Sequence, residues 1–394
     1  MYIFHQREVP LSEGSLMEVY LDNSATTPVC PEAVDAVNNV LTNCWGNPSS
    51  LHFGGIEAAE VLENARRSIA RRLSCDESEI YFTSGGTESN NIAVFGAAHA
   101  FRSKGMRVIT TSVEHPSVEE PFKQLENEGY DVVRLHVDEQ GRFDERQLYA
   151  AVNTSTSLIS IMAVNNEVGT IQAVEKARIA VKKFNAPALI HCDAVQAFGK
   201  IPLKPYAMGV DLMTISSHKI HGPKGAGALF IKKGSRLAHH VFGGGQEHGI
   251  RPGTEPLPAI AGFGAAADAL PDLSIQLAKT AALRDYMLEQ IESMDGIVLN
   301  SPRDALPYVT NVSVVGIPSE VMVNYLSEMG IYVSGGSACA KGHKSRVLQS
   351  MKLDGARINS AIRISLSRYT TKDEIDYLIQ GISSAQKSIM KRIK

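Results

Sequence analysis

No Cys-x-x-Cys pair occurs anywhere in this sequence, and its 5 cysteines, Cys30, Cys44, Cys75, Cys192 and Cys339, are scattered and odd in number. That pattern argues against a disulfide framework and a structural zinc site, so no metal is expected and a reducing, cytoplasmic setting is. Long apolar runs are missing too, with nothing near the ~20 residues needed to span a bilayer. The first fifteen residues have neither a basic start nor an apolar signal core, so secretion is not expected. Met17-Glu18-Val19-Tyr20 is a plausible start in its own right, which makes residues 1–16 an expected extension with little part in the fold. Charge of one sign is also lacking. A net charge of −3 gives no reason to expect direct binding of nucleic acid or an anionic membrane. Internal repeats and low-complexity tracts are absent as well.

What remains is ordinary globular material, 44% hydrophobic and 21% charged over 394 residues, enough for two domains. From about residue 56 the pattern alternates helix and strand. Residues 56–73 place Leu62, Ala65, Ile69 and Leu73 on one helical face. Short β-rich runs follow at 80–83, 108–111, 158–162, 188–190, 210–215 and 228–231. Such alternation implies an α/β fold with a mostly parallel, doubly wound sheet. After Pro258 the texture turns helical through 259–270 and on to Met294. The last hundred residues mix strands at 308–315 and 362–366 with helices and read as a smaller α+β domain.

In open α/β sheets, ligands sit outside the carboxyl ends of the strands. Polar residues follow these runs in turn: Thr87 after the first, His115 after the second, Asn166 after the third, Asp193 and Gln196 after the fourth, Lys219 after the fifth. Lys219, in Ser216-Ser217-His218-Lys219, sits at the mouth of a buried strand, an awkward place for a solvated charge. It suits an amine that forms a Schiff base with an aldehyde cofactor. Asp193 suits the ring nitrogen of pyridoxal 5'-phosphate, which needs an anionic partner when protonated. Asp193 also fits an N-cap or turn role, and Lys219 a plain exposed position. Gln196 would reach the same side and bond the cofactor's phenolic oxygen.

Ser84-Gly85-Gly86-Thr87-Glu88-Ser89-Asn90 joins a strand to a helix beginning near Thr87. Gly86 lets backbone approach a phosphate, and free amides at the helix start favour the anion, with Ser216 and His218 as further donors. The alternative is a simple glycine turn with a Thr or Ser cap. His115 is placed to stack on a cofactor ring and move protons, or is structural. Ser334-Gly335-Gly336-Ser337-Ala338-Cys339-Ala340-Lys341-Gly342 sets one cysteine among glycines that allow the segment to swing. Lys341, His343 and Lys344 favour its thiolate. The alternative is a free surface cysteine, while the other four cysteines read as small buried apolar residues. In Ile362-Arg363-Ile364-Ser365-Leu366-Ser367-Arg368, alternation turns Arg363 inward, where it needs an anion such as a substrate carboxylate. A structural ion pair would satisfy it as well, and Arg357 or Arg368 competes for the role.

With these residues in hand, the chain resembles the class I cysteine desulfurases, fold-type I pyridoxal-phosphate enzymes of the aspartate-aminotransferase kind. The resemblance runs from Tyr20-Leu21-Asp22-Asn23-Ser24-Ala25-Thr26-Thr27-Pro28 to Arg363-Ile364-Ser365-Leu366-Ser367-Arg368-Tyr369. Between them lie Gly46-Asn47-Pro48-Ser49-Ser50, the Gly-Gly-Thr-Glu-Ser-Asn turn, Asn165-Asn166-Glu167-Val168-Gly169, the Ser-Ser-His-Lys lysine and Gly336-Ser337-Ala338-Cys339. It implies that Lys219 carries the cofactor, Asp193 pairs its ring nitrogen, Gln196 bonds its phenolate and His115 stacks on it. Thr87, Ser216 and His218 are implied as the phosphate cradle, with Thr254 lent to a neighbouring subunit's phosphate in a homodimer. Asn166 and Arg363 would hold the carboxylate of L-cysteine. Cys339 would accept its sulfur as a persulfide, leave L-alanine, and pass the sulfur to an iron–sulfur scaffold or a tRNA-thiolation enzyme. Where the family commonly has Gln-Glu-Arg-Gly and then Arg-Ser-Gly-Thr, this chain has His248 for the first Arg and Pro252 for the Ser.

The expected division is a large cofactor-binding domain at 27–270 and a small domain of 1–26 and 271–394 carrying the Cys339 loop. Two other functions share parts of this pattern. A selenocysteine lyase or other β-eliminating lyase needs no cysteine nucleophile, so the Gly-Ser-Ala-Cys loop weighs against it. A non-catalytic platform for sulfur-handling partners would not need Lys219, Asp193, His115 and Cys339 together.

Overall fold

Runs of β-branched and aromatic residues with apolar flanks become the central strands of this protein, and the small-residue helical faces between them cover the sheet. The structure is a computed structural model that describes residues 17–335 and 344–393. In chain order, β1 (Val19–Tyr20), α1 (Pro31–Asn43) and α2 (Phe53–Leu73) precede β2 (Ile80–Thr83) and α3 (Gly86–Ala100). Then come β3 (Arg107–Thr111), α4 (Pro116–Asn127), β4 (Asp131–Leu135), β5 (Thr156–Ser160), β6 (Leu189–Asp193), β7 (Leu212–Ser216) and β8 (Gly227–Ile231).

Among the described residues these strands form a seven-stranded sheet in the order β2-β8-β7-β6-β5-β3-β4. The pairs β7/β6, β6/β5, β5/β3 and β3/β4 are parallel, and β8 runs antiparallel to both β7 and β2. Because β8 reverses twice, β2 points the same way as β7. The carboxyl ends of β2, β3, β5, β6 and β7 therefore share one edge, as the doubly wound reading requires. Strands β5 to β8 are buried along their whole length, which is why they read as apolar runs without alternation.

β4 went unread in the sequence. It lies at the sheet's edge, and Asp131 and Arg134 break its apolar pattern, each held in an ion pair, Asp131 with Arg107 and Arg134 with Glu119. The run at 158–162 lies two residues past the observed β5, and the run at 188–190 starts one residue before β6 and ends three short of its end.

The carboxyl-terminal part adds β9 (Ile297–Leu299), β10 (Val309–Val314), β11 (Ile331–Tyr332), β12 (Ser334–Gly335) and β13 (Ala361–Ser365). β10 pairs antiparallel with both β9 and β13, β12 pairs with β13, and β1 pairs in parallel with β11. A separate core joins Val19 and Leu21 to Met287, Val312, Ile364 and Leu378, so the amino-terminal strand packs with the last hundred residues. The helix Leu257–Asp268 lies against α1 and α2, and the helix Leu273–Glu292 leads away from it into that second core.

The glycine-rich stretch at 243–254 holds one short 3-10 turn, Gln246–Gly249. Glu247 anchors it. Its carboxylate accepts from Arg66 Nη1 at 2.9 Å, Arg66 Nη2 at 2.8 Å and the Phe82 amide at 2.8 Å, all buried. Glu247 and His248 take positive φ of 46° and 52°, and the His248 ring meets Tyr81 edge-on. The departure at His248 thus lies in a stretch fastened to α2 and β2 by its neighbour.

Candidate active site

Lys219 ends the 3-10 turn Ser217–Lys219 that follows β7. Its Nζ donates to the carbonyls of Ser24 at 2.5 Å and Ala25 at 2.7 Å. Gln196 Nε2 donates to the same Ser24 carbonyl at 2.9 Å, and Gln196 Oε1 accepts from the buried Lys200 Nζ at 3.0 Å. His218 Nδ1 lies 3.2 Å from Thr26 Oγ1. The 24–26 loop therefore gathers Lys219, Gln196 and His218. Backbone carbonyls do most of the holding, and no side-chain pattern in the sequence marks them.

Asp193 closes β6, nearly fully buried. One carboxylate oxygen accepts from the Val195 amide at 3.0 Å, an Asx-type turn, and the other from Asn90 Nδ2 at 2.8 Å. Both readings of Asp193 hold together, turn residue and inward carboxylate. Asn90 Nδ2 gives its other hydrogen to Ser117 Oγ at 2.8 Å, and Ser117 Oγ lies 2.8 Å from His115 Nδ1. The Ser117 amide also donates to His115 Nδ1, at 3.1 Å. An amide can only donate, so Nδ1 is an acceptor and a neutral His115 carries its proton on Nε2. Burial lowers the His115 pKa below the usual histidine value, and Lys219 and Arg346 push the same way against Asp193. Asn90 and Ser117 were missed from sequence because they sit inside the first turns of α3 and α4 and act through each other.

The residues fit pyridoxal phosphate on three counts. α3 begins behind Gly85, which has φ of 155° and supplies no side-chain cap, so the first amides of a 15-residue helix are left for an anion. Among the described residues the buried Ser216 Oγ has no hydrogen-bond partner, and a Cβ on Gly86 would come within 3.8 Å of the Ser216 Cβ and 2.8 Å of a Val195 methyl. Beside them, a depression of about 450 Å³ is lined by Thr87, Asn91, Phe95, His115, Pro116 and Ser117. Thr87 is exposed there. Glu88, the one acid in that first turn, accepts from the Ser84 amide and pairs with Arg251 at 3.4 Å, which offsets its charge beside an anion site.

Arg363 lies on β13, which is buried at all five positions rather than alternating, and is 3% exposed. Its Nη2 pairs with Asp22 at 2.7 Å and donates to Ser334 Oγ at 3.1 Å, while Nη1 donates to the Asn166 carbonyl at 3.1 Å. Among the described residues its Nε is buried with no partner, a donor left for a carboxylate, and Arg368 Nε shares that state. Arg357 and Arg368 are committed elsewhere, to Asn300 Oδ1 and to the Ala269 carbonyl. Thr254 is exposed on the loop before the helix Leu257–Asp268.

Two carboxyl groups lie against this site. Burial raises Glu114 to about 8, against hydrogen bonds from the Met162 amide and the Thr111 hydroxyl, and burial raises Glu167 to about 7. A raised carboxyl pKa means that the folded protein holds a proton the unfolded chain has lost. Stability from Glu114 is thus complete below about 4.5 and lost as pH climbs through about 8. Glu114→Gln is expected to flatten that loss, on the order of 1–3 kcal/mol, and melting temperatures measured from pH 5 to 9 check it.

Cys30, Cys44 and Cys192 are buried, while Cys75 is only partly so, a correction to its expected burial. Burial pushes the Cys75 thiol up to about 12 and Cys192 well above its ordinary value. None of the four is set up as a thiolate nucleophile. Cys339 and Gly336 to Gly342 lie outside the described residues.

Comparison with known proteins agrees with this geometry. The family described as aminotransferase class-V matches residues 19–378. "Cysteine desulfurase IscS" of Dictyoglomus turgidum is 40% identical over 92% of this chain and 93% of its own length. A cysteine desulfurase of Rattus norvegicus is 38% identical over 94% of this chain and 83% of its own. Among solved structures, a "NIFS-LIKE PROTEIN" superposes with a TM-score of 0.89 at 39% identity, covering 94% of this chain and 100% of its own. The structure titled "SspA in complex with cysteine" does so with a TM-score of 0.79 at 33% identity, covering 90% and 100%.

Proposed function

This chain belongs to the aminotransferase class-V family and is a pyridoxal-phosphate-dependent cysteine desulfurase, and from that premise we propose which of its residues carry the reaction. The single observation that carries the assignment is the convergence of Lys219, Gln196 and Asp193 with His115 at one sheet edge, through Ser24 and Asn90. When bound, pyridoxal phosphate supplies an electrophilic carbonyl and an electron sink for charge developing at the substrate α-carbon.

Lys219 Nζ would anchor the cofactor covalently and would serve as the base for the substrate α-proton. Asp193 holds the positive charge of the ring nitrogen, with Asn90 fixing the carboxylate's direction. His115, neutral and protonated at Nε2, would stack on the cofactor ring and pass protons. Gly86, Thr87, Ser216 and His218 hold the phosphate. Arg363 receives the carboxylate of L-cysteine with Asn166, its Asp22 pairing giving way to the substrate. The Cys339 thiolate forms a bond to the substrate sulfur as the carbon–sulfur bond breaks. The electron pair of that bond stays with the β-carbon, which takes up a proton, return of a proton to the α-carbon completes L-alanine, and Cys339 keeps the sulfur as a persulfide. The structure titled with cysteine supports this substrate class. Incubation with L-cysteine and a thiol reductant tests the reading: one L-alanine per sulfide is expected, and sulfide with pyruvate in place of alanine would point to a β-eliminating lyase.

The protein works as a homodimer in this reading. Leu41, Trp45, Leu51, Phe53 and Ile56 are exposed on and between α1 and α2, with Leu51 at 96% and Phe53 at 87%. A soluble surface rarely gathers this many large apolar groups unless they meet a partner. Exposed Thr254 would then reach the other subunit's phosphate. Phe53→Asp with Trp45→Asp is expected to move the protein from dimer to monomer in sedimentation, and a wild-type monomer would remove the proposal. The division into 27–270 and 1–26 with 271–394 is part of this reading, supported by the packing of Val19 and Leu21 with Met287, Val312, Ile364 and Leu378. The sulfur then passes to an acceptor protein, an iron–sulfur scaffold or a tRNA-thiolation enzyme, in the cytoplasm. Among the described residues no helix is long and apolar enough to cross a membrane.

A further inference from the structure

Lys200 is a buried cation that the proposed chemistry leaves unused. It is 6% exposed, four residues after Gln196 on the helical turns following β6, and among the described residues it is in no ion pair. Its Nζ donates to Gln196 Oε1 at 3.0 Å and stands 5.8 Å from the centre of the Tyr308 ring. Burying a lysine without a carboxylate is costly, so its retention there asks for a reason.

The geometry of an amide supplies one. A side-chain amide presents an acceptor on one side and donors on the other, and either orientation fits the same space. In its charged form, which it holds below a pKa of about 7, the Lys200 ammonium can only donate. Lys200 therefore obliges Gln196 to turn Oε1 toward it and Nε2 away, to the Ser24 carbonyl that Lys219 Nζ shares. We propose that Lys200 is a positioning residue: it fixes the Gln196 amide so that a donor, never an acceptor, faces the Lys219 side where the cofactor's phenolic oxygen is held. This rests on the reading of Lys219 as the cofactor lysine. Burial first, then Lys219 and Arg363, pull the Lys200 amine down to about 7. His218 and His221, which also face it, are pulled to about 4 and stay neutral. The charged groups around Lys200 are thus the cations Lys219 and Arg363, and its tie to Gln196 is a donor's tie rather than half of a salt bridge.

A donor on the phenolic oxygen and a cation nearby both favour proton loss from the Lys219–cofactor linkage. Removing them raises the pH at which the bound cofactor's visible absorbance changes. The test loads wild type, Lys200→Met, Gln196→Ala and the double variant with pyridoxal phosphate and titrates absorbance against pH. Lys200→Met is expected to raise the midpoint by roughly 0.5–1 pH unit. Gln196→Ala is expected to raise it similarly, and the double variant no further than the larger single shift. Lys200→Gln, whose own amide lets Gln196 turn over, covers the case in which methionine disturbs folding, and the same upward shift is expected. A midpoint unchanged in folded, cofactor-loaded Lys200→Met and Lys200→Gln overturns the proposal, as do shifts that add in the double variant. A wild type with no visible band overturns instead the reading of Lys219 beneath it.

Discussion

Lys219→Ala protein mixed with pyridoxal phosphate is expected to lack the visible absorbance of the wild type and to form L-alanine from L-cysteine at least 10²–10⁴-fold more slowly, the usual range for a lost acid–base group. The reason is positional. Lys219 follows a fully buried strand, β7, and its amine is held by two carbonyls of the 24–25 loop beside Gln196. The neighbouring Lys200 amine is not placed to replace it as an anchor, because it is tied to Gln196 Oε1 and its Nζ stands 5.8 Å from the centre of the Tyr308 ring. The apo protein should keep its melting temperature within a few degrees, since Lys219 is not part of any of the three apolar cores. Loss of the band with intact melting separates a missing anchor from a broken fold.

Cys339→Ala is the second large effect. Cofactor binding and its visible band should persist, while L-alanine formation falls to the background of the reductant alone. The other thiols cannot take over. Cys30, Cys44 and Cys192 are buried, and burial holds Cys75 near 12, so each is a thiol at neutral pH. Changing those four together to alanine or serine should leave most activity, and L-alanine yield per cofactor checks both variants side by side. An unchanged rate in Cys339→Ala would mean that sulfur departs without a cysteine nucleophile.

Much of this site was legible before any coordinates because strands bury their middles and expose their ends. His115, Asn166, Asp193 and Lys219 each follow an apolar run, and the parallel sheet puts those ends on one edge. Arg363 was legible as a strand residue on the face opposite Ile362 and Ile364, although β13 is buried at all five positions, so both of its faces are covered. Asn90 and Ser117 were not, since each lies within a helix turn and gains meaning only when α3 and α4 start side by side. The carbonyls of Ser24 and Ala25 carry no side-chain signature at all. β4 escaped for a related reason, because its charged residues answer to partners on β3 and α4 rather than to its own pattern. Lys200 looked like any lysine near a turn, and only its burial against Gln196 separates it from the surface ones.

The central claim is that one cysteine of five receives the sulfur while the Lys219 site releases L-alanine. A single turnover of the cofactor-loaded protein with equimolar L-cysteine, stopped by alkylation and mapped by peptide mass, tests it most directly. The account predicts one added sulfur on the peptide containing Cys339, equimolar with L-alanine, and none on Cys30, Cys44, Cys75 or Cys192. L-alanine without sulfur on Cys339, or sulfur carried by another of the five, would contradict it.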